Sequence, residues 1–385
     1  MKIVLSWLNE FIDLSEISVE KLTYELTMAG LEVENVTDYN KVFDKFIVGE
    51  VVEKIKHPNA DKLSVCKVNT GSETLQIVCG APNVAAGQKV PVALEGAKIP
   101  DADFVIKSTK LRGQLSQGMI CSESELGLSN DHSGIMVLSA ETEVGIPVAK
   151  AIGYDDVVFE IGITPNRPDA LSHIGVARDL AALFNRPLKK KEISATREKE
   201  SISDIAQIVI EDQINCPRYS AVVVKECKIG DSPGWMKNRL KMAGMRPINN
   251  IVDITNYVML ETRTTTCMRF DLDTSWSKSS IVVKKAKDGT KFKTLDSIER
   301  NLTGSMLMIC DGEKEVAIAG IMGGENSEVS LNTRNILIES AYFDPGTVRR
   351  SARTLGLSTE ASYRFERGTD PRGHYVRRTA QAKLI

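Results

Sequence analysis

The chain has 385 residues, 42% hydrophobic and 26% charged, with 49 basic against 51 acidic side chains; this length predicts two to four folded units, and the balance of charge excludes a whole-molecule field that would draw it onto a polyanion, so any nucleic-acid contact must be local. No stretch approaches the roughly 18 apolar residues of a membrane span. The cysteines (Cys66, Cys79, Cys121, Cys216, Cys227, Cys267 and Cys310) are scattered and form no CxxC pair, which argues against a disulfide framework and a zinc site and makes a reducing cytoplasm the expected location.

The opening MKIVLSWLNEFIDL has an apolar run broken by Trp7, Asn9 and Glu10 and reads as an amphipathic helix, not an export signal. A helical stripe of Leu22, Leu26 and Met28 to Leu31, interrupted by Gly30, leads into the strand-like LEVENV and an α/β start ending near Asp38. From Phe46 the pattern becomes FIVGEVVEKI, SVCKVNT, TLQIVCG, KVPVALE and FVIKSTKL, separated by the turn-rich HPNADK, APNVAAGQ and AKIPDAD. Five short strands at this spacing predict a small closed barrel of the OB type, and the stretch from Cys121 to Gly127 reads as a short helix or turn.

In FEIGITPNRPDALSHIGVARDLAALFNRP, residues Ile174, Ala177, Leu180, Ala181 and Phe184 fall at helical spacing, with Ser172 as cap and Pro187 as stop. This helix has no partner in its own segment and is expected to pack on residues 1–38, making the barrel an insertion whose ends lie close together. Residues 189–207 read as a charged linker. Beyond it, IVIED, YSAVVVKECKI, IVVKKA, KFKTL, SMLMIC, EVAIAGI and NILIES read as strands, and PGWMKNRLKMAG and VRRSARTLGL as helices. The terminal RRTAQAKLI reads as a helix cut short, so the chain is expected to stop inside a longer protein. The predicted fold class is α+β and multidomain. A split α/β domain (1–38 plus 151–188) carries an inserted five-stranded OB-fold barrel (39–150), and the linker 189–207 leads to a mixed α/β domain (208–385), truncated at its C-terminal end.

Three blocks carry the chemistry. HPNADKL, QIVCGAPNV and KLRGQLSQGMICSESELGL together resemble the tRNA-binding OB module of phenylalanyl-tRNA synthetase beta chains, some methionyl-tRNA synthetases and free-standing tRNA-binding proteins. Lys54, Lys56, Lys62, Lys67, Lys107, Lys110 and Arg112 suit phosphate neutralisation on one barrel face, and Asn59 and Asn83 suit polar edge contacts; singly, each lysine better suits a solvated face. With aromatic platforms nearly absent, shape and backbone reading is expected over base reading. EIGITPNRPDALSHIGVARDLAAL resembles the stretch after the barrel in bacterial phenylalanyl-tRNA synthetase beta subunits; Asn166, Arg167 and Asp169 read as a structural turn and His173 as a capping or core residue.

CPRYSAVVV, AGMRPINNIVDITNYVMLE, VAIAGIMGGENSEV, NILIESAYFDP and LGLSTEASYRFERGTDP resemble the editing (B3/B4-like) domain of the same subunit. The resemblance implies hydrolysis of tRNA(Phe) carrying tyrosine, a task with a physical basis: an apolar synthetic pocket rejects an added hydroxyl poorly, whereas a second site that hydrogen-bonds it selects it. Carried over by motif, Glu339 accepts the tyrosine hydroxyl, and Thr255 and Asn256 hold water or the terminal ribose. Ala319, Gly320, Gly323 and Gly324 allow close backbone approach and offer N–H groups to the oxyanion, and Ala361 keeps room for the ring. No Ser/His or Cys/His nucleophile pair is evident, so an ordered water, assisted by a substrate ribose hydroxyl, is the expected attacker. The family's GQPxHAFD is replaced here by ETRTTTCMRFDLD, with Cys267 or Arg269 near the place of the pocket histidine. That departure keeps open a weakened editing site, or a non-catalytic tRNA-binding scaffold, beside a hydrolase acting in trans. The resemblance further implies a catalytic alpha subunit as partner in an α2β2 assembly using ATP and Mg2+, with neither cofactor bound by this chain, and no membrane partner.

Overall fold

The computed structural model describes residues 1–100, 102, 104–189, 205–263, 269–271, 280–312, 314–371 and 384. Ile3 and Val4, β-branched and fully buried, begin the chain as a strand, β1 (Lys2–Val4), so the predicted opening helix is confined to α1 (Leu5–Asn9). In α2 (Val19–Met28) the Ser18 side chain caps the start by accepting the Lys21 N–H, and Gly30 at φ 85° turns the chain into β2 (Glu32–Asp38).

The chain next forms α3 (Tyr39–Val42), β3 (Phe46–Lys56), β4 (Ser64–Asn69), β5 (Thr74–Cys79), β6 (Lys89–Ala93), β7 (Thr109–Leu111), β8 (Gln114–Ser116), β9 (Met119–Ile120) and α4 (Val148–Ala151). These lie in one compact unit, residues 36–158. Its sheet runs β5-β4-β3-β6-β9, antiparallel throughout, and curls into a nearly closed barrel. Along the outer edge of β5, Val78 N–H donates to Ser116 Oγ at 3.0 Å and Gln117 N–H donates to Gln76 O at 2.8 Å. Inside, Val51, Val68, Ile77, Val90, Val92 and Ile120 close the core. Gly49 makes that closure possible, since a Cβ there would lie 2.6 Å from Val68 and 2.7 Å from Val92. The predicted fifth strand FVIKSTKL is corrected: the fifth barrel strand is β9, and Thr109–Leu111 pairs with β8 in a separate hairpin. A two-residue strand is too short to display alternation, whereas Phe104, Val105 and Leu111 mimic a strand while standing exposed.

After β10 (Val157–Gly162) and α5 (His173–Leu183) come β11 (Gln207–Ile210), β12 (Arg218–Val224), α6 (Gly234–Met242), α7 (Asn250–Thr262), β13 (Arg269–Asp271), β14 (Ser280–Lys285), β15 (Lys291–Lys293) and β16 (Glu299–Asn301). They are followed by β17 (Leu307–Cys310), β18 (Glu315–Ile318), β19 (Met322–Gly323), β20 (Ile336–Tyr342), α8 (Pro345–Leu355) and α9 (Glu360–Phe365). Two sheets, β11-β14-β17-β18-β19 and β12-β20-β13, share a core that includes Ile281, Ile309, Ala317, Leu337, Ala341 and Phe365. A small sheet β1-β10-β2 completes the list of major sheets here. Helix α7 is not announced by propensity. Ile251, Val252, Ile254, Thr255 and Val258 all disfavour helix, yet Asn249 caps it by accepting the Val252 N–H, and Arg263 ends it at φ 69°.

Residues 1–35 and 159–385 form one compact unit, so the expected boundary between 151–188 and 208–385 is not a break in packing; most of the linker that suggested it, residues 190–204, lies outside the described residues. Helix α5 packs on α1, and Trp7, wholly buried, is sandwiched between His173 at 3.9 Å and Tyr257 of α7 at 4.4 Å. Burying that indole contributes about 4 kcal/mol. His173 accepts the Val4 N–H on Nε2 at 3.1 Å and lies 3.0 Å from Leu260 O through Nδ1, which assigns the proton to Nδ1 and makes it a core residue. Arg167 bridges Asp169 at 2.8 Å and Asp179 at 2.5 Å, holding the turn before α5.

Candidate functional site

Strand β20 carries Glu339 between two neighbours, with Ala221 of β12 directly opposite. Side chains alternate along a strand. Ile336 and Ile338 pack with Ile251 of α7, while Leu337 and Ala341 join Tyr219 and Ala221 in the main core. Glu339 therefore projects into the main core, and it is fully buried. Tyr219 Oη donates to its Oε2 at 2.8 Å, and Oε1 has no partner among the described residues.

Burial pushes the Glu339 carboxyl up to about 8, against the opposing pull of the Tyr219 hydrogen bond. The Tyr219 phenol is pushed well above 10, first by burial and then by Glu339. Near neutral pH the pair is a neutral acid beside a neutral phenol. The nearby Cys216 thiol rises to about 12, chiefly through burial, so it is no thiolate nucleophile. Chemically, the site is a buried carboxyl with one oxygen unbonded among the described residues, suited to a hydroxyl and unsuited to nucleophilic attack by itself. Nothing in the sequence distinguishes Tyr219 from an ordinary strand aromatic alternating with Ala221 and Val223.

The other expected editing residues divide into two groups. Ala319 and Gly320 follow β18 and border the core that holds Glu339; a Cβ on Gly320, at φ 69°, would lie 3.1 Å from each of Phe343, Phe365 and Val348. Ala361 is half-buried in α9, which Thr359 ties to this region by donating to Ile321 O at 2.9 Å. Thr255 and Asn256 instead sit on α7, which packs through Ile251 on the opposite face of the β20 sheet. Thr255 is buried and donates to Val252 O of its own helix at 2.8 Å.

The expectation that Ala319 and Gly324 offer N–H groups to an oxyanion is corrected, because these donate inside the fold to Leu307 O at 2.9 Å and Val316 O at 2.7 Å. Buried backbone donors are normally spent in this way. Gly323 belongs to the β18–β19 ladder and accepts the Leu295 N–H, and a Cβ on Gly324 would meet Phe292 at 2.6 Å. Cys267 lies outside the described residues, and Arg269 of β13 pairs with Ile338, one position from Glu339.

On the barrel, Lys56 pairs with Asp61 at 2.9 Å, Lys67 with Glu53 at 2.6 Å, and Lys54 donates to Val84 O at 2.6 Å. Among the described residues no acidic partner stands beside Lys62, Lys107, Lys110 or Arg112. Asn59 and Asn83, both at the surface, also bond within the fold. Asn83 Nδ2 donates to Ile135 O, and its Oδ1 accepts the Ile135 N–H, each at 2.9 Å. Asn59 reaches Arg112 O at 3.4 Å, while the buried His57 lies 3.1 Å from Leu111 O through Nε2. The HPNADKL motif thus holds the tip of the β7–β8 hairpin, where Arg112 at φ 47° and Gly113 at φ 92° make the turn.

Among the described residues no cluster of three or more His, Cys, Asp or Glu side chains is arranged to hold a metal ion, and no helix is long and apolar enough to cross a membrane. Residues 46–147 match the family model described as "Putative tRNA binding domain", and residues 215–385 match that of the "B3/4 domain". All 385 residues align at 48% identity with the phenylalanine-tRNA ligase beta subunit of Syntrophus aciditrophicus, covering 47% of it. The corresponding subunits of Geobacter metallireducens and Halalkalibacterium halodurans are 50% and 46% identical over 96% and 97% of the chain, with 46% of each covered. The chain spans about half the length of the curated relatives it matches.

Proposed function

The chain belongs to the family of phenylalanine-tRNA ligase beta subunits and corresponds to their N-terminal half, and on that premise we propose that it binds tRNA(Phe) through its barrel, an OB module, and removes tyrosine mischarged onto that tRNA. Attachment of phenylalanine, with ATP and Mg2+, belongs to the complete synthetase with its alpha subunit, in a cytoplasmic α2β2 assembly. The single observation that supports editing most is the buried Oε1 of Glu339, which has no partner among the described residues.

A tyrosine hydroxyl reaching that oxygen gains a hydrogen bond in a dry setting, whereas phenylalanine leaves the oxygen unsatisfied. Tyr219 holds the other oxygen, so the carboxyl accommodates one further hydroxyl and its direction is set in advance. Glu339 selects; it does not attack. The ester is opened by water, with the leaving ribose hydroxyl taking up a proton.

Purified tyrosyl-tRNA(Phe) presented to the chain should release tyrosine faster than it does spontaneously, and Glu339→Ala should abolish the excess. Release unchanged by Glu339→Ala would refute the pocket. Specific observations favour a second reading, the non-catalytic tRNA-binding scaffold: the Ala319 and Gly324 N–H groups are engaged, Thr255 belongs to a helix on the other sheet face, and ETRTTTCMRFDLD lacks the family histidine. On that reading tRNA binds and no tyrosine is released above background.

A further inference from the structure

We propose that a cleft on the barrel unit receives one unpaired, splayed-out nucleobase of a bound RNA, with the adjacent hairpin holding the flanking phosphates. This rests on the tRNA-binding reading of the barrel and adds to it the kind of RNA element recognised. The cleft encloses about 620 Å³, within the range of sites that bury small organic groups. Its lining is mostly apolar, with Val78, Met119, Ile120 and Ile135 among it, and Phe104 belongs to it while remaining 49% exposed. An exposed aromatic ring beside an apolar recess is what a base stacks on, since every base has a π-face.

The polar part of the lining is organised before any ligand arrives. Glu125 Oε2 accepts the Ser122 N–H at 2.6 Å and its hydroxyl at 2.8 Å, and Ser124 Oγ lies 2.9 Å from His132 Nδ1; Ser122, Glu125 and His132 all line the cleft. Already bonded to one another, these groups give the cleft a fixed polar wall beside its apolar one, as the polar edge and flat face of a base require.

Unmatched charge gathers on and just before this hairpin. Lys107, Thr109 and Leu111 line the cleft, while Lys110, which alternates with Thr109 and Leu111, stands on the outer face of the hairpin, and Arg112 sits at its turn. Lys107, Lys110 and Arg112 are exposed and have no acidic partner among the described residues, whereas Lys56, Lys67 and Lys89 on β3, β4 and β6 are matched by Asp61, Glu53 and Glu50. Unmatched cations within six residues of one another, next to a recess with an aromatic ring, fit a sugar-phosphate strand with one base turned inward. His57 and Asn59 from one side, and Gln76 Nε2 donating to Leu115 O at 2.9 Å from the other, fix the hairpin that presents them.

Fluorescence anisotropy with the full chain tests this, using a labelled single-stranded RNA octamer, an RNA duplex of matched charge and tRNA, each across a salt series. Single-stranded RNA should bind more tightly than the duplex. Phe104→Ala should weaken the single strand roughly tenfold without changing its salt slope or the duplex, and Phe104→Trp should retain binding. Lys110→Glu with Arg112→Glu should weaken all three RNAs. Equal affinity for strand and duplex, or single-strand affinity unmoved by Phe104→Ala, would overturn the base pocket while salt-dependent tRNA binding still upheld the barrel's RNA role. Absence of salt-dependent binding to any of the three would overturn both.

Discussion

Among the described residues, Lys110 and Arg112 on the barrel hairpin stand in water without acidic partners, whereas Glu339 on β20 lies wholly buried with a single hydroxyl bonded to it. Each arrangement matches a different recognition problem. Solvated cations lose little hydration when they meet phosphates, and their attraction is tuned by salt. Discriminating one hydroxyl demands the reverse, a desolvated carboxyl whose satisfaction is worth several kcal/mol because water cannot substitute. That group is costly to the fold that carries it.

If the contrast holds, Glu339→Ala should lower tyrosine release from tyrosyl-tRNA(Phe) about 100-fold or more and leave tRNA affinity by filter binding unchanged. A parallel loss of tRNA binding would mean that the two regions do not work independently. The next effect concerns pH. The Glu339 carboxyl is raised from 4.5 to about 8, so between those values the folded chain holds more protons than the unfolded one, and stability falls as pH rises through that window. Glu339→Gln should remove this slope, so denaturant unfolding should show the variant gaining on the parent by a few kcal/mol between pH 5 and pH 8. An unchanged slope would place the carboxyl in contact with water.

Reversing charge at Lys110 and Arg112 should reduce tRNA affinity roughly tenfold or more at low salt and reduce the logarithmic salt slope by about 2, with tyrosine release at saturating tRNA unaffected. The smallest expected effect is that of Tyr219→Phe, which strands Oε2 and should cost about 1–3 kcal/mol in stability. It should also raise the Glu339 carboxyl further, since the lost bond favours its ionised form. Thermal unfolding read together with the pH dependence separates that outcome from simple loss of packing.

Much of the architecture is legible in order and period. The barrel strands β3 to β6, the helix from His173 and strand β20 all announce themselves by alternation, helical spacing or caps. The segments that mislead do so for identifiable reasons. FVIKSTKL imitates a strand because an exposed rim happens to be apolar, and α7 hides behind β-branched residues that tertiary burial turns into helix. A side-chain amide is equally suited to an RNA edge and to a carbonyl elsewhere in the fold, and nothing local shows that Asn59 reaches Arg112 O or Asn83 reaches Ile135 O.

By itself the sequence determined the kind of protein and the order of most of its elements, since motifs, spacing and caps act over a few residues and survive in linear order. Only the tertiary structure decided which polar atoms are already spent. Tyr219 lies 120 residues from the carboxyl it binds, and His57 reaches 54 residues to Leu111. Whether a donor or a charge is satisfied depends on which distant segment folding brings within about 3 Å of it, and no local pattern encodes that partner.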